Sequence, residues 1–356
     1  MEPHNGKGRG RRERMFRGWE KVTIRDDQGV PRDAVAPVIV SASRSTDIPA
    51  FYGDWLIQRL SRGHAAWVNP WNGALTYVSF ARTRAIVFWS KNPLPFLGQI
   101  PALEEMGYSF YFLYTLNDYE SEGLEPGVPD LDSRVRTFSH LASLVGPDRV
   151  VWRCDPLLLS DSLRVDDLLS RVEAIGKRIH RNTRRLVISF VDIGRYPRVR
   201  HRLDATGHGD VREFSGEEIG EFCRGLAEIN RDWGLFLSAC GEPADLSPFG
   251  IARGECINAG LMREVFSTDA ALMEFLSPAE GWSRAGKGRF SHPLKDPGQR
   301  KECGCIASKD IGRYSTCPHL CTYCYANTSR ETVEKNWLQT RQALASGHVP
   351  EWIGGP

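Results

Sequence analysis

Between Val38 and Glu242 the apolar residues gather into short β-branched or aromatic runs, each closed by a polar cluster and followed by helical or loop sequence. Six such runs stand out, at residues 38–41, 85–89, 111–114, 150–152, 186–190 and 235–238. Amphipathic helices are predicted between them. Val135, Phe138, Leu141 and Val145 share a face that stops at Gly146, and Leu168, Val172, Ile175 and Ile179 repeat the spacing. Ser215 and Glu218 form a capping box ahead of Ile219, Phe222, Leu226 and Ile229. Residues 67–80, with Pro70 and Gly73, form a hairpin-like excursion, and Thr328 with Glu331 caps a polar helix running towards Ala345.

Continuous apolar strands alternating with helices predict an α/β fold around a mostly parallel sheet, closed as a barrel, partly closed, or open. In all three forms ligands bind at the C-terminal ends of the strands. Those ends carry Ser43 to Asp47, Lys91, Asn117, Arg153, Asp155, Asp192 and, with Cys240, Glu242. Each alone reads as a cap or loop hydrogen bond; together they point to a shared polar pocket. The organisation expected is a basic arm over 1–30, read as disordered, a βα domain over 31–300, a cysteine-rich segment over 301–328, and a helix and tail over 329–356.

A chain of 356 residues that is 41% hydrophobic has enough apolar surface for a large core, and a net charge of +2 makes no overall footprint for nucleic acid. No apolar run approaches the roughly 18–20 residues of a membrane span, and no apolar segment follows the basic first residues as in a secretory signal, so a cytoplasmic location is expected.

Five of the nine cysteines lie in one window from Cys303 onward, which in a reducing compartment favours metal over disulfides. Cys303 and Cys305 flank one glycine, and Cys317, Cys321 and Cys324 have the spacing C-x3-C-x2-C. Three thiolates on one loop can each take a corner of a [4Fe–4S] cluster and leave the fourth iron open. An open iron can chelate the amino and carboxylate groups of S-adenosylmethionine, so that an electron entering the sulfonium breaks a carbon–sulfur bond and yields a 5′-deoxyadenosyl radical. Tyr323 is placed to pack against the adenine. Zinc is the alternative, held by Cys317, His319, Cys321 and Cys324 or by Cys303 and Cys305 with two later thiols. Cys240, Cys256, Cys303 and Cys305 are numerous enough for a second cluster; Cys240 or Cys256 could instead donate a hydrogen atom to a substrate radical, while Cys154 and Cys223 read as buried hydrophobes.

The triplet with its aromatic at Tyr323 resembles the radical S-adenosylmethionine (SAM) superfamily, and Cys-Thr-Tyr-Cys-Tyr-Ala is most similar to its spore photoproduct lyase branch. The segments Phe88-Trp-Ser-Lys-Asn-Pro93, Trp152-Arg-Cys-Asp-Pro156, Ser189-Phe-Val-Asp192 and Cys303-Gly-Cys305 resemble the family designated domain of unknown function number 1848. The superfamily resemblance implies a partial six-stranded (β/α) barrel, a [4Fe–4S] cluster, SAM, and a low-potential electron donor of the ferredoxin or flavodoxin type. The photoproduct lyase kinship admits nucleic acid as a partner. The cluster motif here follows the sixth strand rather than the first, which implies a circular permutation carrying the tail back to Ser43–Asp47. In that arrangement Lys91 and Arg153 would pair with a carboxylate or phosphate, Asp192 or Glu242 would hold ribose hydroxyls or the SAM ammonium, and Ser43, Asn117 and Asp155 would complete the pocket. A zinc-stapled nucleic-acid-binding protein and a redox protein that does not use SAM are the competing functions.

Overall fold

A computed structural model describes residues 16–277, 283–285, 289–291 and 293–355. The strands run β1 (Glu20–Arg25), β2 (Pro31–Ala36), β3 (Ile39–Ala42), β4 (His64–Val68), β5 (Leu75–Ser79), β6 (Ala85–Ser90) and β7 (Ser109–Thr115). They continue as β8 (Val150–Leu157), β9 (Arg185–Phe190), β10 (Phe236–Cys240), β11 (Ala252–Gly254), β12 (Ser283–Ala285), β13 (Arg289–Ser291) and β14 (Lys309–Asp310). Eight of them form one parallel sheet in the order β11-β10-β9-β8-β7-β6-β3-β14, with β11 and β14 at its edges. Every one of the six apolar runs is a strand of it. The excursion over 67–80 is the antiparallel pair β4–β5, which joins β2 and β1 in a four-stranded sheet. Within the stretch expected as a basic arm, residues 20–25 form β1, paired with β2, and 1–15 lie outside the described residues.

Alternation along the strands divides the core. Val40, Ile86, Phe88, Phe112, Trp152, Leu186 and Ile188 point to one face. That face is covered by α1 (Ile48–Phe51), α2 (Gly53–Arg62), α3 (Ile100–Glu105), α4 (Leu131–Val145), α5 (Val165–Ile179), α6 (Pro197–Ala205) and α7 (Gly216–Asn230), all of which contribute buried residues to the same cluster. Ile39, Val87, Tyr111, Leu113, Val151 and Val187 point to the other face, which is packed by α8 (Ala259–Val265), α9 (Ala270–Leu276) and the segment around Leu294 and Ile306. Each fully buried Leu, Ile, Val or Phe contributes roughly 1.5–3 kcal/mol, so a strand buried on both faces needs no polar side.

Ser215 caps α7 and exchanges bonds with Glu218, as the sequence pattern implies. The last helix, α10 (Arg330–Ala345), differs by one residue: Ser329 rather than Thr328 is its N-cap, accepting from the Thr332 N–H. Thr328 is occupied instead in a hydroxyl contact of 2.8 Å with Ser315. β8 is longer than its apolar run, because Arg153, Cys154 and Asp155 continue the strand beside β9 instead of leaving it. Among the described residues no helix is long and apolar enough to cross a membrane.

Candidate metal and ligand site

The tail reaches the strand ends by adding β14 to the open edge of β3, with Lys309 opposite Val40 and Asp310 opposite Ser41. Asp310 then accepts the Arg44 N–H at 2.7 Å, and Ser308 meets Ser41 hydroxyl to hydroxyl at 2.7 Å. Only glycine fits at 312, where a Cβ would fall 2.0 Å from the Ser43 Oγ. The chain beyond is fastened from several sides. The Tyr52 hydroxyl donates to the Thr316 carbonyl at 2.5 Å, Gly127 N–H to His319 O at 2.9 Å, and Thr322 N–H to Leu124 O at 2.9 Å. The Arg202 guanidinium, on α6, donates to the carbonyls of Cys324 and Asn327. Leu320, between the first two thiols of the triplet, holds φ at 53°, a backbone state rarely adopted by a side-chain-bearing residue and sustained here by these anchors.

Cys317, Cys321 and Cys324 thereby line the same cavity, of about 260 Å³, as Ser43, Lys91, Asp155 and Asp192. Tyr323 lines it as well. Burial, and then Asp47 and the neighbouring thiol, push Cys317 up; burial also pushes Cys321 well up against the pull of Lys91. Metal binding at these sulfurs must therefore displace protons. Among the described residues the one trio of His, Cys, Asp and Glu ligand atoms within 4.8 Å of one another is Asp27, His64 and Glu351, whose Asp27 is already taken by Arg59 and Arg62. The three tail sulfurs are thus spread wider than around a zinc ion, where a Zn–S length of about 2.3 Å sets them about 3.8 Å apart. His319 is not available as a fourth ligand: its Nε2 lies 2.8 Å from Asp47 and its Nδ1 3.0 Å from the Gly127 carbonyl.

Asn117, Arg153 and Glu242 do not line the cavity. Asn117 is buried and spent on the backbone of Asp155, bonding its N–H at 2.9 Å and its carbonyl at 3.0 Å. Arg153 points from β8 to the opposite face, paired with Asp155 and donating to Cys256 Sγ at 2.7 Å. Glu242 bonds the Ala244 N–H of its own turn and is pushed up by burial. Lys91 reaches the cavity, but its ammonium is already held by Glu125 at 2.7 Å and the Tyr323 hydroxyl at 3.1 Å. Burial would raise the Glu125 carboxyl, yet Lys91 and Arg134 beside it hold it below the usual range.

Sequence reasoning missed Glu125, which sits in a loop with no periodicity, and Arg300, which lines the cavity 3.4 Å from Asp192. It also missed Tyr196 and Tyr325, stacked at 5.3 Å at the cavity wall; the aromatic after the third cysteine was the available signal.

The remaining candidates converge elsewhere. Cys240 and Cys256 lie sulfur to sulfur at 3.2 Å. Cys305 Sγ accepts the N–H groups of Cys256 at 3.1 Å and Ile257 at 3.4 Å, and Cys303 is in contact with both Cys240 and Cys305. Thiol hydrogen bonds from Cys256 and Cys303 hold the Cys305 thiol well below its usual value, with Arg44 adding to the effect. None of the four lines the cavity. Cys154 and Cys223 are buried, as hydrophobes would be.

Comparison with curated proteins and with solved structures found no match. A family model does match, over residues 39–326, a span that starts at β3 and takes in both groups of thiols. The chain belongs to the family described as Domain of unknown function (DUF1848).

Proposed function

We propose that this protein is a radical SAM enzyme whose [4Fe–4S] cluster is held by Cys317, Cys321 and Cys324. One observation carries the reading: three thiols separated by C-x3-C-x2-C line the same cavity as the C-terminal ends of the parallel strands, where α/β sheets bind their ligands. Their spread exceeds that of ligands to a single tetrahedral ion, and a three-thiolate set leaves one iron of a cubane for an exchangeable ligand. In this reading the sheet is the partial barrel of the superfamily, permuted so that β14 brings the cluster loop to β3.

When bound, the cluster supplies an open iron for the amino and carboxylate groups of SAM and an electron, drawn from a ferredoxin- or flavodoxin-type donor, for its sulfonium. The protein supplies the rest. The three thiols ligate after losing their protons. Tyr323, its hydroxyl fixed by Glu125 and Lys91, lines the cavity, and Tyr196 with Tyr325 offers a stacked pair for an adenine. Asp155, paired with Arg153, and Asp192, paired with Arg300, offer their remaining oxygens to ribose hydroxyls or an ammonium, and Arg44 and Arg300, each also holding a carboxylate of the chain, are the guanidiniums at hand for a carboxylate. Lys91 serves as an internal counter-charge.

Anaerobic reconstitution tests this. A brown protein with labile sulfide that releases 5′-deoxyadenosine from SAM under dithionite is expected, with Cys321→Ala losing that release by at least about 100-fold, as for a broken metal ligand set. A colourless protein with stoichiometric zinc, or an iron–sulfur protein that leaves SAM intact, overturns the proposal.

A further inference from the structure

We propose that Cys240, Cys256, Cys303 and Cys305 hold a second iron–sulfur cluster, ligated wholly by protein thiolates, on the face of the main sheet opposite its outer helices. The four residues come from three separate places: the end of β10, the turn between β11 and α8, and the segment before β14. They nonetheless meet in a ring of contacts, Cys240 with Cys256 and Cys303, and Cys305 with Cys256 and Cys303. Chance burial of small hydrophobes explains Cys154 and Cys223, each alone in the core; it does not explain four thiols facing one another. No disulfide joins them, and no three of the sulfurs lie within 4.8 Å of one another, so as placed they do not form the compact set of a single tetrahedral ion.

The charges around the ring are those that a cluster with four thiolates calls for. Such a cluster is anionic in every common oxidation state. Arg153 is 6% exposed, donates to Cys256 Sγ at 2.7 Å, and leaves its buried Nε without any partner. Arg44, with a buried Nη2 likewise unpartnered, lies within electrostatic range of Cys305 and Cys256, and Arg300 within that of Cys240. Each guanidinium has one carboxylate partner, Asp155, Asp296 or Asp192, and an anionic cluster supplies the further charge that the unpartnered N–H groups of Arg153 and Arg44 lack. The backbone N–H groups of Cys256 and Ile257 aimed at Cys305 Sγ supply the hydrogen bonds to sulfur that such sites use to tune potential. Arg44 and Arg300 also line the cavity, so the second cluster lies directly behind its wall. With four protein ligands it has no open iron and binds no SAM. Neither Cys240 nor Cys256 is then free to donate a hydrogen atom.

The inference stands on its own residues and does not need the SAM reading. The chain and its Cys317→Ala/Cys321→Ala/Cys324→Ala variant are reconstituted anaerobically with iron and sulfide, then assayed for both and for the paramagnetic resonance of the reduced state with and without SAM. About eight irons and eight sulfides per wild-type chain are expected, with about four of each retained by the variant, whose signal SAM leaves unchanged. Arg153→Met is expected to move the retained cluster to a more negative potential, since it removes a cation that favours the reduced, more anionic form. A variant that keeps iron without sulfide, binds zinc instead, or retains no metal overturns the proposal. Should that variant prove insoluble, the wild-type iron count and the presence of a SAM-insensitive component decide the question. The two proposals fail separately: two clusters without SAM cleavage sinks only the first, and SAM cleavage with four irons sinks only the second.

Discussion

Glu125 shows how a single side chain can matter without any sequence signal. Its carboxylate is 8% exposed and serves Lys91, Arg134 and the Tyr323 hydroxyl at once, so it neutralises two buried cations and orients the aromatic beside the second thiol of the triplet. Breaking a buried pair leaves an uncompensated charge, at a cost of about 3–5 kcal/mol. Glu125→Gln is therefore expected to lower stability by that amount in denaturant unfolding, and Glu125→Gln with Lys91→Met to recover part of it; independent, additive losses would refute the pairing. The cysteines divide along the same line. Their number and the triplet spacing are plain in the sequence, whereas the meeting of Cys240, Cys256, Cys303 and Cys305 is not, because Cys240 and Cys256 are 16 positions apart and Cys256 and Cys303 are 47 apart, too far to share a local pattern.

At the scale of elements, the start of α7 was readable and loop contacts were not. The capping box of α7 is local chemistry, and its Glu218 also receives the Arg212 guanidinium at 2.7 and 2.9 Å. Those bonds, and that from the Ser215 N–H, hold its carboxyl down to about 2. A folded value below the unfolded one stabilises the native state above the unfolded pKa, and the gain is lost as pH falls from about 4.5 towards about 2. At this largely solvated position Glu218→Gln is expected to cost about 0.5–1 kcal/mol at pH 7, and the difference in Tm should shrink as the pH is lowered through that window. A difference independent of pH would show that the carboxylate is not its source.

The cysteine loop depends instead on a neighbour distant in sequence. A Cβ at Gly127 would lie 2.3 Å from the Pro318 carbonyl and 2.8 Å from that of His319, so Gly127→Ala has to push two backbone segments apart. We expect a loss of about 1–3 kcal/mol in stability together with fewer irons retained by the triplet. Unchanged iron content would mean that the loop holds its shape without this contact.

For the molecule as a whole, the two proposed clusters carry the expectation that stability depends on metal. Both groups of thiols tie the tail, through β14 and the segment before it, to the main sheet, and a ligand bound only by the folded state adds its binding energy to folding. Removing iron by oxygen and chelator should lower Tm by at least about 5 °C, with anaerobic reconstitution restoring it; an identical Tm for both forms would place the metals outside the folded core.

The sequence alone determined the six principal strands, three of the helices between them, the β4–β5 hairpin and the three-thiol motif, because each is written in neighbouring residues: apolar runs, a 3.6-residue period, a turn, a fixed spacing. Only the tertiary structure decided that the two-residue strand β14 joins β3 and so carries the triplet to the strand ends, that Asn117 and Arg153 turn away from the cavity while Arg300 enters it, and that four scattered cysteines share one place. Those outcomes depend on which edge of the sheet remains open and which face of a strand a residue occupies, and neither is a property of any stretch of chain by itself.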